Sequence, residues 1–138
     1  MLQPNKTKYR KAHRWVIKGL ATRGSTISFG DYALKTTEAG YITSRQIESA
    51  RKAIVRFLKK GGQMWIRIFP DKPYTKKPLE VPMGWGKGNV EMYRAPVKPG
   101  RIIFELKDVT PEVAREAFTL ASHKLPVKSK ILLSKIDF

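Results

Sequence analysis

The sequence predicts an α+β fold in which two helices pack on a largely antiparallel sheet, with a basic N-terminal arm and a long glycine-rich loop. Two segments with helical hydrophobic periodicity lie between short segments that alternate apolar and polar residues, an order typical of α+β domains. The chain has 138 residues, of which 41% are hydrophobic, enough for one sizeable core. We therefore divide it into an arm over residues 1–24 and a single domain over residues 25–138, with a loop over residues 79–90.

The net charge is the strongest indication of a partner. The chain has 28 Lys and Arg residues against 11 Asp and Glu residues, a formal net charge of +17. Because self-repulsion at this charge is costly without a polyanion nearby, nucleic acid is the favoured partner and an anionic membrane surface a distant second. The absence of Cys excludes disulfides and thiolate metal sites. We expect neither a secretory signal nor a membrane span, which needs roughly 20 apolar residues.

The first 24 residues are predicted to form an extended arm, because no period of 2 or 3.6 runs through them. They include seven basic residues, no acidic residue and several aromatic side chains. This composition favours an arm lying along phosphates over a disordered tail with solvated charges. The arm residues predicted to contact RNA are Lys6, Lys8, Tyr9, Arg10, Lys11, Arg14, Lys18 and Arg23.

Short strands are predicted next. Alternation indicates a strand around Ile27 and Phe29, followed by a turn at Gly30–Asp31. Further strands are predicted over Tyr32–Thr36 and Tyr41–Thr43, on either side of Gly40.

The first predicted helix runs from Thr43 to Lys60 and has two chemically different faces. Thr43 and Gln46 have the spacing of a capping box, and Gly61–Gly62 is a strong stop signal. At about 100° per residue, one arc is apolar and contains Ile47, Ala50, Ile54, Phe57 and Leu58. The opposite arc is cationic and contains Arg45, Lys52, Arg56, Lys59 and Lys60. Because Glu48 is the only acid in this helix, a surface facing RNA phosphates is favoured over a merely solvated one.

The middle of the chain is predicted to contain a strand, a loop and a hairpin. Alternation predicts the strand over residues 63–69. Three prolines predict a loop over residues 70–78. Residues 90–97 and 101–106 are apolar-rich and are joined by Lys98-Pro99-Gly100, so we expect them to pair as a hairpin.

A second helix and a last strand complete the predicted domain. Thr110 is the expected N-cap and Pro111 the first helical residue, and the helix ends near Lys124. Its apolar stripe contains Val113, Ala114, Ala117, Phe118 and Ala121. The last strand is predicted from Val127 to about Leu133.

The sequence contains no pattern of an active site. Its two histidines lie far apart, no carboxylate pair has metal-ligand spacing, and no serine lies in a nucleophile elbow. Glycines 84, 86 and 88 fit neither the dinucleotide nor the Walker pattern; a mobile loop that approaches RNA is favoured over a plain hairpin loop. We predict no catalytic residue, metal, cofactor or small-molecule substrate, with a nuclease-type acid–base enzyme as the enzymatic alternative.

Several motifs occur in the order and spacing of one known family. They are Met1 to Lys11, Ser28-Phe29-Gly30, Ile42 to Glu48, Trp65 to Pro73, Met83-Gly84 through Gly86-Lys87-Gly88, Lys98-Pro99-Gly100, Ala114 to Ala117 and Lys124-Leu125-Pro126. On the basis of these motifs the chain resembles the bacterial large-subunit ribosomal protein L-sixteen. That protein belongs to a universal family whose eukaryotic member is called L-ten. The resemblance extends from Met1 to about Lys130, and the run from Trp65 to Pro73 is its most specific part.

The resemblance implies a structural, non-enzymatic role and an α+β sandwich. Members of this family bind large-subunit rRNA between the peptidyl-transferase centre and the central protuberance and join late in assembly. They contact A-site tRNA, with P-site tRNA as a further candidate, and have other large-subunit proteins as neighbours. The implied location is the cytoplasmic ribosome of a bacterium, or the ribosome of an organelle that encodes its own copy. The arm and the first helix correspond to rRNA-contacting segments. The loop expected near tRNA comprises Pro82, Met83, Gly84, Trp85, Gly86, Lys87 and Gly88.

This loop departs from the family pattern at two positions. Many bacterial members carry an arginine, hydroxylated in some, where this chain has Pro82, so that modification is impossible here. Trp85 stands where Lys or Ser is common. We expect the loop to keep its location while relying on Trp85 for stacking and on Lys87 for charge.

Two other protein classes compete with this interpretation. The runner-up is a DNA-binding or nucleoid-type basic protein, which would usually show a recognition helix or dimer signals. The third is an RNA-modifying enzyme, which would need an acid–base cluster. The sequence shows none of these features.

Overall fold

The structure, a computed structural model, describes residues 2–6, 17–59, 61–76 and 89–133. Its elements are β1 (Tyr32–Thr36), β2 (Gly40–Thr43), α1 (Ser44–Leu58), β3 (Gln63–Ile66), β4 (Lys72–Lys76), β5 (Asn89–Val97), β6 (Ile102–Lys107), α2 (Pro111–Ser122) and β7 (Ser129–Leu132). The predicted α+β class, with two helices packed against antiparallel strands, is confirmed.

The described strands divide into two antiparallel sheets. One has four strands in the order β3-β6-β1-β7, and the other has three in the order β2-β5-β4. α2 packs against β1 and β7 of the first sheet, α1 packs against β2 and β5 of the second, and the two helices pack against each other. The main core contains the fully buried Leu34, Ile54, Phe104 and Phe118, and a second, smaller cluster contains Ile27, Ala33, Ile102 and Leu132. Leu2 also packs against this core.

α1 begins and ends as its sequence predicts. The Thr43 hydroxyl accepts a hydrogen bond from the Gln46 N–H at 3.1 Å, and the Gln46 side chain accepts one from the Thr43 N–H at 2.9 Å, which completes the capping box. The helix ends at Leu58, and Lys59 and Gly62 then turn the chain with positive φ angles. The predicted apolar arc faces the core, with Ile47, Ala50 and Ile54 fully buried and Phe57 and Leu58 packed beside them.

α2 and the last strand are also confirmed. The Thr110 hydroxyl accepts a hydrogen bond from the Val113 N–H at 3.3 Å, and Pro111 occupies the first turn, where its missing N–H leaves no bond unmade. Four residues of the predicted stripe are fully buried: Ala114, Ala117, Phe118 and Ala121. β7 lies inside the segment predicted as the last strand.

The predicted hairpin over residues 90–106 is wrong, because β5 and β6 belong to different sheets. The turn itself forms: the Arg101 N–H donates to the Lys98 carbonyl at 3.1 Å, and Gly100 has a φ of 95°. Thr36, at the end of β1, hydrogen-bonds to this turn through its hydroxyl, which donates to the Lys98 carbonyl at 2.9 Å. The Gly100 N–H donates to the Thr36 carbonyl at 2.8 Å. The turn is therefore joined to β1, and β6 pairs with β1 and β3 instead of returning along β5.

Two further local predictions are wrong. Residues 70–78, predicted as a loop, contain strand β4, which lies at the edge of the three-stranded sheet. At such an edge Pro73 is tolerated although it has no N–H to donate. Residues around Ile27 and Phe29 form no strand; the chain bends at Thr26 and again at Phe29 to Asp31. Successive N–H groups of a strand point to opposite sides. Here the N–H groups of Ser28, Phe29 and Gly30 all donate to one carboxylate oxygen of Glu105.

Candidate nucleic-acid interface

The cationic face of α1, which we define as Arg45, Lys52, Arg56 and Lys59, is exposed along the whole helix. It lies opposite the fully buried Ile47, Ala50 and Ile54, because the helical period places the two sets on different sides. The separation predicted from the helical period is therefore present in the described part of the helix. Lys60, the fifth predicted residue of the face, lies outside the described residues.

The single acid of α1 does not neutralise this face. Glu48 pairs with Arg51, whose Nε donates to the Glu48 carboxylate at 3.1 Å. The hydrogen bond from Arg51 lowers the pKa of Glu48, which keeps the carboxylate charged. The described part of the chain contains one further ion pair, between Arg67 and Glu105. The four cations of the face therefore have no carboxylate partner among the described residues.

Only part of the predicted arm belongs to the described residues. Lys6, Lys18 and Arg23 are exposed, whereas Lys8, Tyr9, Arg10, Lys11 and Arg14 lie outside the described residues. The end of the arm is attached to the domain near the 98–101 turn. The Ala21 N–H donates to the Pro99 carbonyl at 2.9 Å, and the Gly24 carbonyl accepts from the Ile102 N–H at 2.8 Å. The loop predicted to lie near tRNA, from Pro82 to Gly88, is also outside the described residues.

Glu105 connects the segment after the arm to the core, a role that the sequence analysis missed. It is fully buried in β6, and its Oε1 accepts hydrogen bonds from the N–H groups of Ser28 at 3.1 Å, Phe29 at 2.8 Å and Gly30 at 2.8 Å. Its Oε2 pairs with Arg67. Burial by itself raises the pKa of Glu105, but the hydrogen bonds from Gly30, Arg67 and Phe29 together hold it below the usual value.

Two basic residues near Glu105 are used inside the molecule. Arg67 pairs with Glu105, and Arg101 donates to the Arg67 carbonyl at 3.0 Å and to the Arg23 carbonyl at 3.4 Å. Burial, followed by the charge of Arg67, lowers the pKa of Arg101. These arginines therefore position the end of the arm and are not part of the exposed cationic surface.

A second group of cations, which the sequence analysis also missed, lies on the three-stranded sheet. We define the tyrosine–cation cluster as Tyr41 of β2, Lys72 and Tyr74 of β4, and Arg94 of β5. The Arg94 guanidinium carbon lies 4.2 Å from the centre of the Tyr41 ring and 4.1 Å from that of Tyr74. The strand alternation could have assigned each residue to a face, but not the pairing that brings three strands together.

The described residues offer no metal site and no membrane span. None of their His, Asp and Glu side chains form a group of three or more that could hold a metal ion. Neither described helix is long and apolar enough to cross a membrane.

Comparison with known proteins identifies the family. Residues 4–132 match the family described as ribosomal protein L16p/L10e. A relative, the large ribosomal subunit protein uL16 of Halorhodospira halophila, is 60% identical over 129 residues, which cover 94% of each chain. These matches confirm the resemblance found in the sequence motifs. They also indicate a ribonucleoprotein component that acts in translation, is located in the ribosome, and has rRNA and other ribosomal proteins as partners. With its exposed cationic helix face and its arm attached at the domain edge, this chain belongs to the ribosomal protein L16p/L10e family and is a structural constituent of the large ribosomal subunit.

Proposed function

We propose that the chain binds large-subunit rRNA through its N-terminal arm and the cationic face of α1, and that residues 82–88 lie next to A-site tRNA near the peptidyl-transferase centre. P-site tRNA is the further candidate for the same loop. In this role the protein supports late subunit assembly and translation without catalysing a reaction.

The observation that carries the rRNA part is the separation of the two faces of α1. Ile47, Ala50 and Ile54 anchor one face in the core with no exposed surface, so the orientation of the helix is determined by packing. The opposite face then presents four cations over about 20 Å, at 1.5 Å per residue. A rigid row of charges of this length can follow several phosphates of a folded RNA.

The tRNA part is supported by family membership and by the composition of the loop. Three glycines give the backbone reach, but Lys87 is the only charge between Pro82 and Gly88. Such a loop contributes little to the electrostatic affinity for rRNA, and is better suited to a local contact through Trp85.

The rRNA proposal is tested with two variants of equal charge. One carries Arg45→Gln, Lys52→Gln and Arg56→Gln on the cationic face. The control carries Arg115→Gln, Lys124→Gln and Lys130→Gln, which are also exposed but lie on and after α2. Binding to large subunits depleted of their own family member is measured against salt concentration. The salt slope is the slope of the logarithm of the binding constant against the logarithm of the salt concentration. We expect the first variant to lower its magnitude by about 2–3, because each lost phosphate contact removes about 0.7–0.9. The control should stay close to the unmodified protein.

Equal slopes for the two variants would show that α1 does not face RNA. Preference for duplex DNA over the depleted subunits would instead favour the DNA-binding alternative.

The tRNA proposal is tested with Trp85→Ala. Stacking of an aromatic ring on a base is worth about 1–3 kcal/mol, so A-site tRNA should bind the reconstituted subunits at least several-fold more weakly. Protein occupancy in the subunit should stay complete. Unchanged tRNA binding combined with a lower melting temperature would show that Trp85 packs within the protein, and Lys87 would then remain the candidate contact.

A further inference from the structure

We propose that the tyrosine–cation cluster is a second RNA-binding site, which binds a phosphate group of rRNA at the terminal nitrogens of Arg94. This inference rests on the proposed rRNA-binding function and adds a surface on β2, β4 and β5, separate from the arm and from the cationic face of α1.

The strand register places the cluster on the face of the sheet that points away from the core. Ile42 and Ala95 are cross-strand partners and are buried against α1 and the core. Arg94 is the neighbour of Ala95 and the partner of both Thr43 and Lys72. Because successive side chains of a strand alternate between faces, Arg94 and Lys72 project from the opposite side.

The two tyrosines join Arg94 on this outer face. Tyr41 lies two residues before Thr43, and Tyr74 lies two residues after Lys72, so the same alternation places both rings beside Arg94. Because β5 lies between β2 and β4, the two tyrosines flank Arg94, and its guanidinium carbon lies 4.2 Å from the centre of the Tyr41 ring and 4.1 Å from that of Tyr74.

This arrangement holds a planar cation in one orientation before any ligand binds. The faces of aromatic rings attract cations, and contacts with two rings limit the side chain, so less conformational freedom is lost on binding. The Nε of Arg94 is buried and makes no hydrogen bond. No described carboxylate forms an ion pair with Arg94. Within the described part of the chain, this guanidinium is therefore stabilised by rings and has no acidic partner.

A second cation lies next to the first. Lys72 is only 7% exposed, and its Nζ lies 5.4 Å from the centre of the Tyr41 ring and 3.4 Å from the Tyr41 hydroxyl oxygen. Like charges directly opposite each other in a sheet are unfavourable. The described members of the cluster thus carry two positive charges and no negative one, which favours an anionic ligand at Arg94.

The chemistry of the cluster favours RNA phosphate over other anions. The planar fork of arginine matches the two oxygens of a phosphate, and this pairing gives both strength and orientation. The chain is a constituent of the large subunit with a net charge of +17, so phosphates are the anions present at highest density around it. An acidic segment of a neighbouring protein is the other possible occupant, and the experiment distinguishes it.

The test compares three variants in binding to depleted large subunits and to a protein-free transcript of large-subunit rRNA. We expect Arg94→Gln to weaken binding to both by at least about tenfold, the lower end of the loss that one charge-assisted hydrogen bond carries. It should also lower the magnitude of the salt slope by about 0.7–0.9, one contact. Arg94→Lys should keep the salt slope but bind more weakly than the unmodified protein, because an ammonium group lacks the planar fork of arginine. The matched control is Arg115→Gln, an equal loss of charge at an exposed position of α2.

Each result has a definite meaning. If Arg94→Gln binds like Arg115→Gln with the same slope, the cluster only stabilises the sheet and the proposal is wrong. If the loss occurs on subunits but not on the transcript, the partner is a protein and the proposal is also wrong. If Arg94→Gln does not fold, Arg94→Lys decides, and binding equal to that of the unmodified protein would overturn the proposal. Failure of the unmodified protein to bind depleted subunits would instead contradict the proposed function itself.

Discussion

At the scale of single residues, Glu105 joins two parts of the chain that are 75 positions apart, through its bond to the Gly30 N–H. A buried carboxylate is costly unless its oxygens are paired. Three N–H groups and the Arg67 guanidinium satisfy it here. Ser28, Phe29 and Gly30 bend around the carboxylate in return, which is why this segment does not form the strand that its alternation predicts.

Replacing Glu105 by Gln should therefore destabilise the protein. The substitution keeps the volume but leaves Arg67 without its counter-charge, and breaking a buried pair costs about 3–5 kcal/mol. Since Arg67 keeps some exposure to water, we expect a loss near the lower end, about 3 kcal/mol, in the free energy of unfolding measured with urea. The control is Glu48→Gln, which breaks the ion pair of Glu48 and Arg51 on the surface of α1 and should cost about 0–1 kcal/mol.

The same carboxylate predicts a pH dependence. The pKa of Glu105 in the folded state lies below the ordinary value of 4.5. Its contribution to the free energy of unfolding is therefore complete above pH 4.5 and is lost as the pH falls through the lower, folded-state pKa. The unmodified protein should lose stability on acidification below 4.5, and Glu105→Gln should lose less over the same interval. Parallel stability curves for the two proteins would contradict this role.

At the scale of elements, α1 and α2 were predictable because their signals are local. A capping box, a stop at two glycines and a stripe with a period of 3.6 all lie within about five turns of one helix. The spans of β5 and β6 were also close to prediction, but their pairing was not. Thr36 redirects the turn between them, and it lies 62 positions from the carbonyl that it binds.

The faces of α1 predict opposite effects for adjacent residues. Ile54 is fully buried, so Ile54→Ala should lower the free energy of unfolding by about 2–5 kcal/mol through lost burial and a cavity. Val55, the next residue, is 41% exposed, and Val55→Ala should change stability by less than about 0.5 kcal/mol. Chemical denaturation of both variants checks this contrast. Similar losses for the two would mean that the helix is rotated relative to the core.

At the scale of the whole molecule, the net charge of +17 dominates the behaviour of the free protein. Among the described residues there are two ion pairs, so most of the positive charge there is not compensated within the molecule. The core must hold the chain together against this repulsion until RNA binds. This is the physical reason to expect the free protein to respond strongly to salt.

We expect the melting temperature of the free protein to rise as NaCl increases from low concentration to about 0.15 M, where the Debye length is about 8 Å. Screening weakens the repulsion among the surface cations. Both triple variants described above, the one on α1 and the control on and after α2, should melt higher at low salt and show a smaller rise, because each lacks three charges. A melting temperature that falls with salt would show that attractive ion pairs outweigh the repulsion.

The sequence by itself determined the fold class, the two helices with their buried faces, the cationic face of α1 and, through motifs such as Trp65 to Pro73, the family. These features depend on residues close together in the chain, where the helical period and the caps act. Only the tertiary structure decided that the strands form two sheets, that Glu105 is buried beneath Ser28 to Gly30, and that Arg94 lies between Tyr41 and Tyr74. Each of these depends on strand register between distant segments, and a register is selected by the packing of the whole core.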